Sequence, residues 1–181
     1  MEIAWIADGG GDEDCDIRFP ARGGMTASGV VGAEFGECRY RLATDAHWRF
    51  VELELELGER RLVVERVEGG WTVDGRPRPD LADAVEIDLS VSPVTNTLPI
   101  RRLDLPVGAS ADITTAYISV PELTVQPDPQ RYTRTGEREY RYESLDSDFT
   151  RLITVDGEGI VVDYPGLFSR RGRRDASRAA R

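Results

Sequence analysis

Lysine is absent from this 181-residue chain, so all 23 of its basic residues are arginine. Against them stand 33 acids, for a net charge of −10. A body this acidic lacks the basic surface that displaces phosphate counterions, which excludes nucleic acid as a partner. Histidine is nearly as scarce: His47, the only one, lies in DAHWRF, and a lone imidazole with no nucleophile motif gives no support to triad-type hydrolysis. Cys15 and Cys38 are the only cysteines. Without nearby histidines they do not make up a four-ligand zinc site, and they read as free thiols. A Walker loop, a dinucleotide fingerprint, an HExxH helix and paired CxxC motifs are all missing, so no cofactor is expected. The run GDEDCD (11–16) offers oxygens to a cation but lacks the spacing of a calcium loop, and the GGG before it reads as a flexible loop. MEIAWIADGGGDEDCD has neither a positive start nor an apolar run. No window approaches eighteen apolar residues. The expectation is a cytoplasmic protein with no transmembrane segment.

What is present is alternation. In FVELELEL (50–57), Val51, Leu53, Leu55 and Leu57 point one way and Glu52, Glu54 and Glu56 the other, which is the period of a strand with one wet face. RLVVERV (61–67) and WTVDG (71–75) follow across glycine turns as a meander. VEIDLSV (85–91) sets Val85, Ile87, Leu89 and Val91 against Glu86, Asp88 and Ser90. Further strands are expected at ECRYRLA (37–43), HWRF (47–50), DITTAYISV (112–120), REYRYESL (138–145), FTRLITV (149–155) and GIVVDY (159–164). Helical candidates are two short ones, around 80–84 and in TNTLPIRRL, where Thr95 or Asn96 would cap and Pro99 would fall in the first turn. The fold class is therefore mainly β: a strongly curved antiparallel sheet forming an incomplete barrel with one or two short helices. Residues 1–169 form a single β-rich domain. From Arg170 to Arg181 six arginines accompany one acid, and this basic tail is expected to be disordered and at most in weak contact with an anionic membrane surface.

Two groups of residues suit a ligand. Tyr132, Tyr140, Tyr142 and Tyr164, with Trp71 and Phe168, are interleaved with arginines, a combination that recognises sugars and polar head groups. The alternative is that the tyrosines plug a barrel while the arginines pair with surface acids. The segment SPVTNTLPIRRLDLPVG (92–108) ends the strand before it at Pro93 and carries Asn96, Arg101 and Arg102. It reads as a rim or lid, with one arginine paired to Asp88 and the other free for a head group.

The stretches GGWTVDGRPRPDL…VEIDLSVSPVTNTLPIRRLDLPVG, AYISVPELTVQPDPQRYTR, YRYES and VDGEGIVVDYPGLFSR resemble the putative glycolipid-binding family, over about Tyr40 to Arg170. The resemblance implies a fold similar to bacterial lipoprotein carriers, a bent sheet closed over an apolar cavity by short helices. The expected function is non-catalytic binding of a lipid or glycolipid, with Trp71, Asp88, Asn96, Arg101, Arg102, Tyr132, Tyr140, Tyr142 and Tyr164 as ligand-binding candidates. A sixteen-carbon chain buried in such a cavity would contribute on the order of 12 kcal/mol before association costs. Two alternatives stand beside it: a protein-interaction module with a solid core, and an enzyme using Asp88, Asp163 or a tyrosine as acid or base.

Overall fold

The computed structural model describes residues 1–172. Fifteen strands form one sheet: β1 Glu2–Ala7, β2 Asp12–Arg18, β3 Thr26–Ala33, β4 Gly36–Thr44, β5 Phe50–Leu57, β6 Arg60–Val67, β7 Gly70–Val73, β8 Arg76–Pro77, β9 Ala84–Leu89, β10 Ser110–Ser119, β11 Thr124–Gly136, β12 Glu139–Ser144, β13 Thr150–Val155, β14 Val161–Tyr164 and β15 Phe168–Arg170. The spatial order is β8-β7-β6-β5-β4-β3-β2-β1-β15-β14-β13-β12-β11-β10-β9. The curved sheet does not close, as expected of an incomplete barrel. Its two margins are instead bridged by side chains. Trp71 Nε1 donates to Ala84 O at 3.1 Å, Arg78 to Val125 O at 2.6 Å, and Arg60 to the carbonyls of Pro121 and Glu122 at 2.8 and 2.6 Å. Arginine suits such a seam because its fork of donors satisfies edge carbonyls that have no ladder partner.

Every pairing is antiparallel except β9–β10. Parallel neighbours need a crossover to bring the chain back to its starting end. Here the crossover runs through the interior. A 3-10 turn over Pro93–Asn96, capped by Ser92 Oγ on Val94 N, leads into α1, Thr97–Leu103. All residues from Ser92 to Ile100 are buried. The segment is thus a plug rather than the rim or lid that its prolines and polar residues suggest. Asn96 stands at the N-cap of α1 without a capping side-chain bond, and Asp104 ends the helix in the left-handed region. The plug divides the interior. Val94 and Leu98 join a core of β1–β7 and β9–β11 residues, whereas Ile100 joins a second core with Tyr132, Tyr140, Tyr142, Ile153, Val155, Val161 and Tyr164.

The departures from the sequence expectations have local causes. Val51 is exposed, because the β4–β5 register shifts beside Thr44 and puts Phe50 inward in its place. β11 carries Pro127 and Pro129, which mask it in the sequence. Pro129 O accepts from Leu145 N at 2.9 Å, so the missing N–H of this residue faces away from β10, where it costs no ladder bond. HWRF is a turn up to Arg49, and β1, β2, β3 and β15 have no counterpart among the expected strands. β9 is covered on both faces: Ile87 and Leu89 enter the first core, while Glu86 and Asp88, expected to meet water, turn toward the plug. Arg170 lies in β15, and Arg171 pairs with Asp12 at 3.0 Å. From residue 173 onward the expected basic tail lies outside the described residues.

Candidate functional site

The ladder registers give the half-barrel two ends. At the first lie turns 8–11, 34–35, 58–59 and 165–167 together with the exit of β9; at the second lie 45–49, 104–109, 137–138 and 156–160. Each end holds a hollow, and their chemistries differ.

The hollow at the second end, about 430 Å³, is lined by Trp48, Arg101, Asp104, Arg134, Glu137, Arg138, Tyr140 and Asp156 among others. Three of its six charged side chains, Arg101, Arg134 and Asp156, already have partners. Arg134 donates to the carbonyls of Leu105, Gly136 and Glu137, and Asp156 is held by Arg170 at 2.7 Å. Arg101 lies over the Trp48 ring, 4.7 Å from its centroid. The ring face a sugar would stack on is thereby covered.

The recess at the first end, about 260 Å³, is lined by Trp5, Val31, Phe35, Val91, Leu167 and Phe168, with the Gly9–Gly11 turn and Asp12 beside them. Its walls are fixed: Trp5 Nε1 donates to Val161 O at 2.9 Å, and Asp8 N to Leu167 O at 2.9 Å. Glu13, also in the lining, is only 3% exposed. β2 puts it there. Alternation along the strand directs Glu13, Cys15 and Ile17 inward and Asp12, Asp14 and Asp16 outward, so the acids of GDEDCD do not form one cation cage. Glu13 Oε1 accepts from Tyr40 Oη at 2.5 Å and from Ser92 Oγ at 2.7 Å, and Tyr40 Oη lies 3.3 Å from Cys15 Sγ. Tyr40 reaches this position across Gly29, where a Cβ would come within 2.3 Å of the ring. Glu13 Oε2 has no hydrogen-bond partner among the described residues. Burial pushes the carboxyl up to about 7, although the Tyr40 and Ser92 hydrogen bonds oppose the rise. Burial also pushes Cys15 up to about 12, with the nearby Glu13 carboxyl adding to it, so the thiol is not a nucleophile at neutral pH.

The candidates from sequence scatter over these surroundings. Arg101 and Tyr140 meet at the second hollow. Asp88, Asn96 and Tyr132 belong to a polar network around the plug: Thr95 Oγ1 donates to Asp88 Oδ1 at 3.2 Å, Gln130 Nε2 to Asp88 Oδ2 at 2.8 Å, and Asn96 Nδ2 to Tyr132 Oη at 2.9 Å. Asp88 keeps some contact with solvent at its edge, yet packing around the carboxyl raises it to about 6. Tyr142 lies between Tyr132 and Tyr164, with centroids 5.5 and 6.2 Å away, in the second core. Arg102 pairs with buried Glu86 rather than with Asp88. Trp71 stacks on Phe50 at the seam, centroids 5.0 Å apart. None of the nine lines the apolar recess. Trp5, Glu13, Val31 and Phe35 of its lining come from the N-terminal part, where one signal was available, an acid at the inward phase of DEDCDI; Val91, Leu167 and Phe168 come from later in the chain.

The described residues thus form an open half-barrel, plugged inside and hollowed at its ends. A family model described as Putative glycolipid-binding matches residues 3–170, and the chain belongs to that family. The match takes in the N-terminal strands, which the sequence resemblance did not reach. A DUF1089 family protein (PA1994) from Pseudomonas aeruginosa, known from a crystal structure, is 34% identical, with 88% of this chain and 92% of that chain covered and a TM-score of 0.74. None of the curated proteins matches.

Proposed function

We propose that the protein binds a lipid or glycolipid without transforming it, and that the apolar recess at the first end of the half-barrel receives the ligand. The observation that carries this reading is the walled hollow of about 260 Å³ formed by Trp5, Val31, Phe35, Val91, Leu167 and Phe168. Its size lies just under the roughly 300 Å³ at which small-molecule sites begin. With the interior beyond it occupied by the plug, it takes a short apolar segment and not a whole sixteen-carbon chain. About eight methylenes at about 0.8 kcal/mol each contribute roughly 6 kcal/mol, much of which association costs offset. Binding is then weak and reversible. Asp12, Ser90 and the Gly9–Gly11 backbone at the rim offer polar groups to a sugar.

Octyl glucoside below its micelle concentration is the direct probe. Binding by calorimetry, with a rise in melting temperature, is expected for the native chain and is lost in Ala33→Trp, which fills the mouth. Absence of binding to the native chain, or equal binding to Ala33→Trp, overturns the reading. Solvent extraction of protein purified from cells, followed by mass spectrometry, identifies any resident ligand.

A further inference from the structure

We infer that the recess selects ligands whose inner end carries a protonated amine, held by the free oxygen of Glu13. This rests on the recess being the ligand site and names the chemistry that the site selects.

Both hydrogen bonds to the carboxyl arrive at one atom. Tyr40 and Ser92 donate to Oε1, while Oε2, buried in the lining of an apolar recess, receives none among the described residues. A buried carboxylate oxygen without a donor is costly, more so when the group is charged. Among the described residues there is no spare donor nearby. Tyr40 and Ser92 each spend their hydroxyl hydrogen on Oε1, and Cys15 Sγ sits against Tyr40 Oη, not against Oε2. Among the described residues the cation is missing as well: no arginine lines the recess, and Arg171 at its edge is tied to Asp12 at 3.0 Å. The charge that bears on the carboxyl is that of Asp14 on the same strand, which disfavours its ionisation.

An incoming group that satisfies Oε2 must donate a hydrogen bond, and the one that offsets the buried charge is a cation. An alkyl ammonium does both while its methylenes lie against Phe35, Val91 and Phe168. An alcohol supplies the donor alone. A carboxylate or phosphate head meets Glu13 with like charge and is repelled. The Gly9–Gly11 turn adds no side chain to the entrance.

The test compares octylamine, 1-octanol and octanoate by calorimetry at about pH 8, above the pH at which half of Glu13 is ionised. Octylamine is expected to bind at least about tenfold more tightly than octanol, and octanoate more weakly than either. In Glu13→Gln the advantage of octylamine over octanol falls to within about threefold while octanol itself changes little. Equal binding of octylamine and octanol, tighter binding of octanoate, or an unchanged amine preference in Glu13→Gln overturns the inference and leaves the recess reading standing. No binding of any of the three to the native protein overturns both. The comparison of ligands on the native chain needs no variant, so it holds even if Glu13→Gln folds poorly.

Discussion

The two ends of the half-barrel are made by the same sheet and separated by one plug, yet they treat charge in opposite ways. At the second end arginines and acids meet: Arg170 holds Asp156, Arg134 spends its donors on carbonyls, and Arg101 covers Trp48. At the first end a single carboxyl is enclosed by aromatic and aliphatic walls with one oxygen unpartnered among the described residues. In the larger hollow Arg101, Arg134 and Asp156 are already engaged, so a ligand gains little from them, because each such contact must displace one already made. A smaller hollow with a donor deficit gives it more. Volume is therefore the poorer guide to the site.

Four experiments break or sharpen this contrast. The largest effect is expected at the plug that keeps the ends apart. Arg102→Met strips buried Glu86 of its cation and is expected to cost about 3–5 kcal/mol in urea denaturation, whereas the double variant Glu86→Gln/Arg102→Met recovers most of that loss. A double variant as unstable as the single one shows that Arg102 acts by packing. Next comes pH. The Glu13 carboxyl sits near 7 in the folded chain against 4.5 as its ordinary value, so folding favours its protonated form. Its share of stability is complete below about pH 4.5 and declines as pH rises through about 7, by about 3 kcal/mol at most. Glu13→Gln lacks that decline. Its stability relative to the native chain should thus rise between about pH 5 and pH 8.5, and a flat difference would place the carboxyl in contact with water.

Smaller effects separate the ends further. Gly29→Ala forces the Tyr40 ring off β3 and is expected to cost about 1–3 kcal/mol while weakening octylamine binding, since Tyr40 then no longer orients Glu13. Retention of full amine preference in a folded Gly29→Ala chain would remove Tyr40 from the site. Arg101→Gln at the other end forfeits its contact with Trp48 and its exposed ion pair with Glu158, about 0.5–1 kcal/mol together, and should leave octyl glucoside binding unchanged. Loss of binding in that variant would move the ligand to the second hollow.

Most strands could be read directly from residues. Leu53, Leu55 and Leu57 face the core as their spacing requires, and the turns at Gly58 and Gly69-Gly70 fall where glycine marks them. β11 escaped because Pro127 and Pro129 are strand breakers unless their missing N–H faces away from the ladder, which only the neighbouring strands decide. The arginine and tyrosine candidates were visible as residue types, but which of them meet was not. Tyr132 and Asn96 bond across 36 positions, and Ser92 reaches Glu13 across 79.

By itself the sequence determined that this is a sheet protein with short helical breaks, because a period of two is a local property of the backbone and needs no partner to be expressed. What each face of that alternation meets was left to tertiary structure. Glu86 and Asp88 repeat the polar phase of an ordinary wet face, and Glu13 an isolated exception to an acidic one. Alternation says which side chains share a side. It does not say whether water, a plug or an apolar recess lies against that side, and this is set when distant strands and the buried crossover come together.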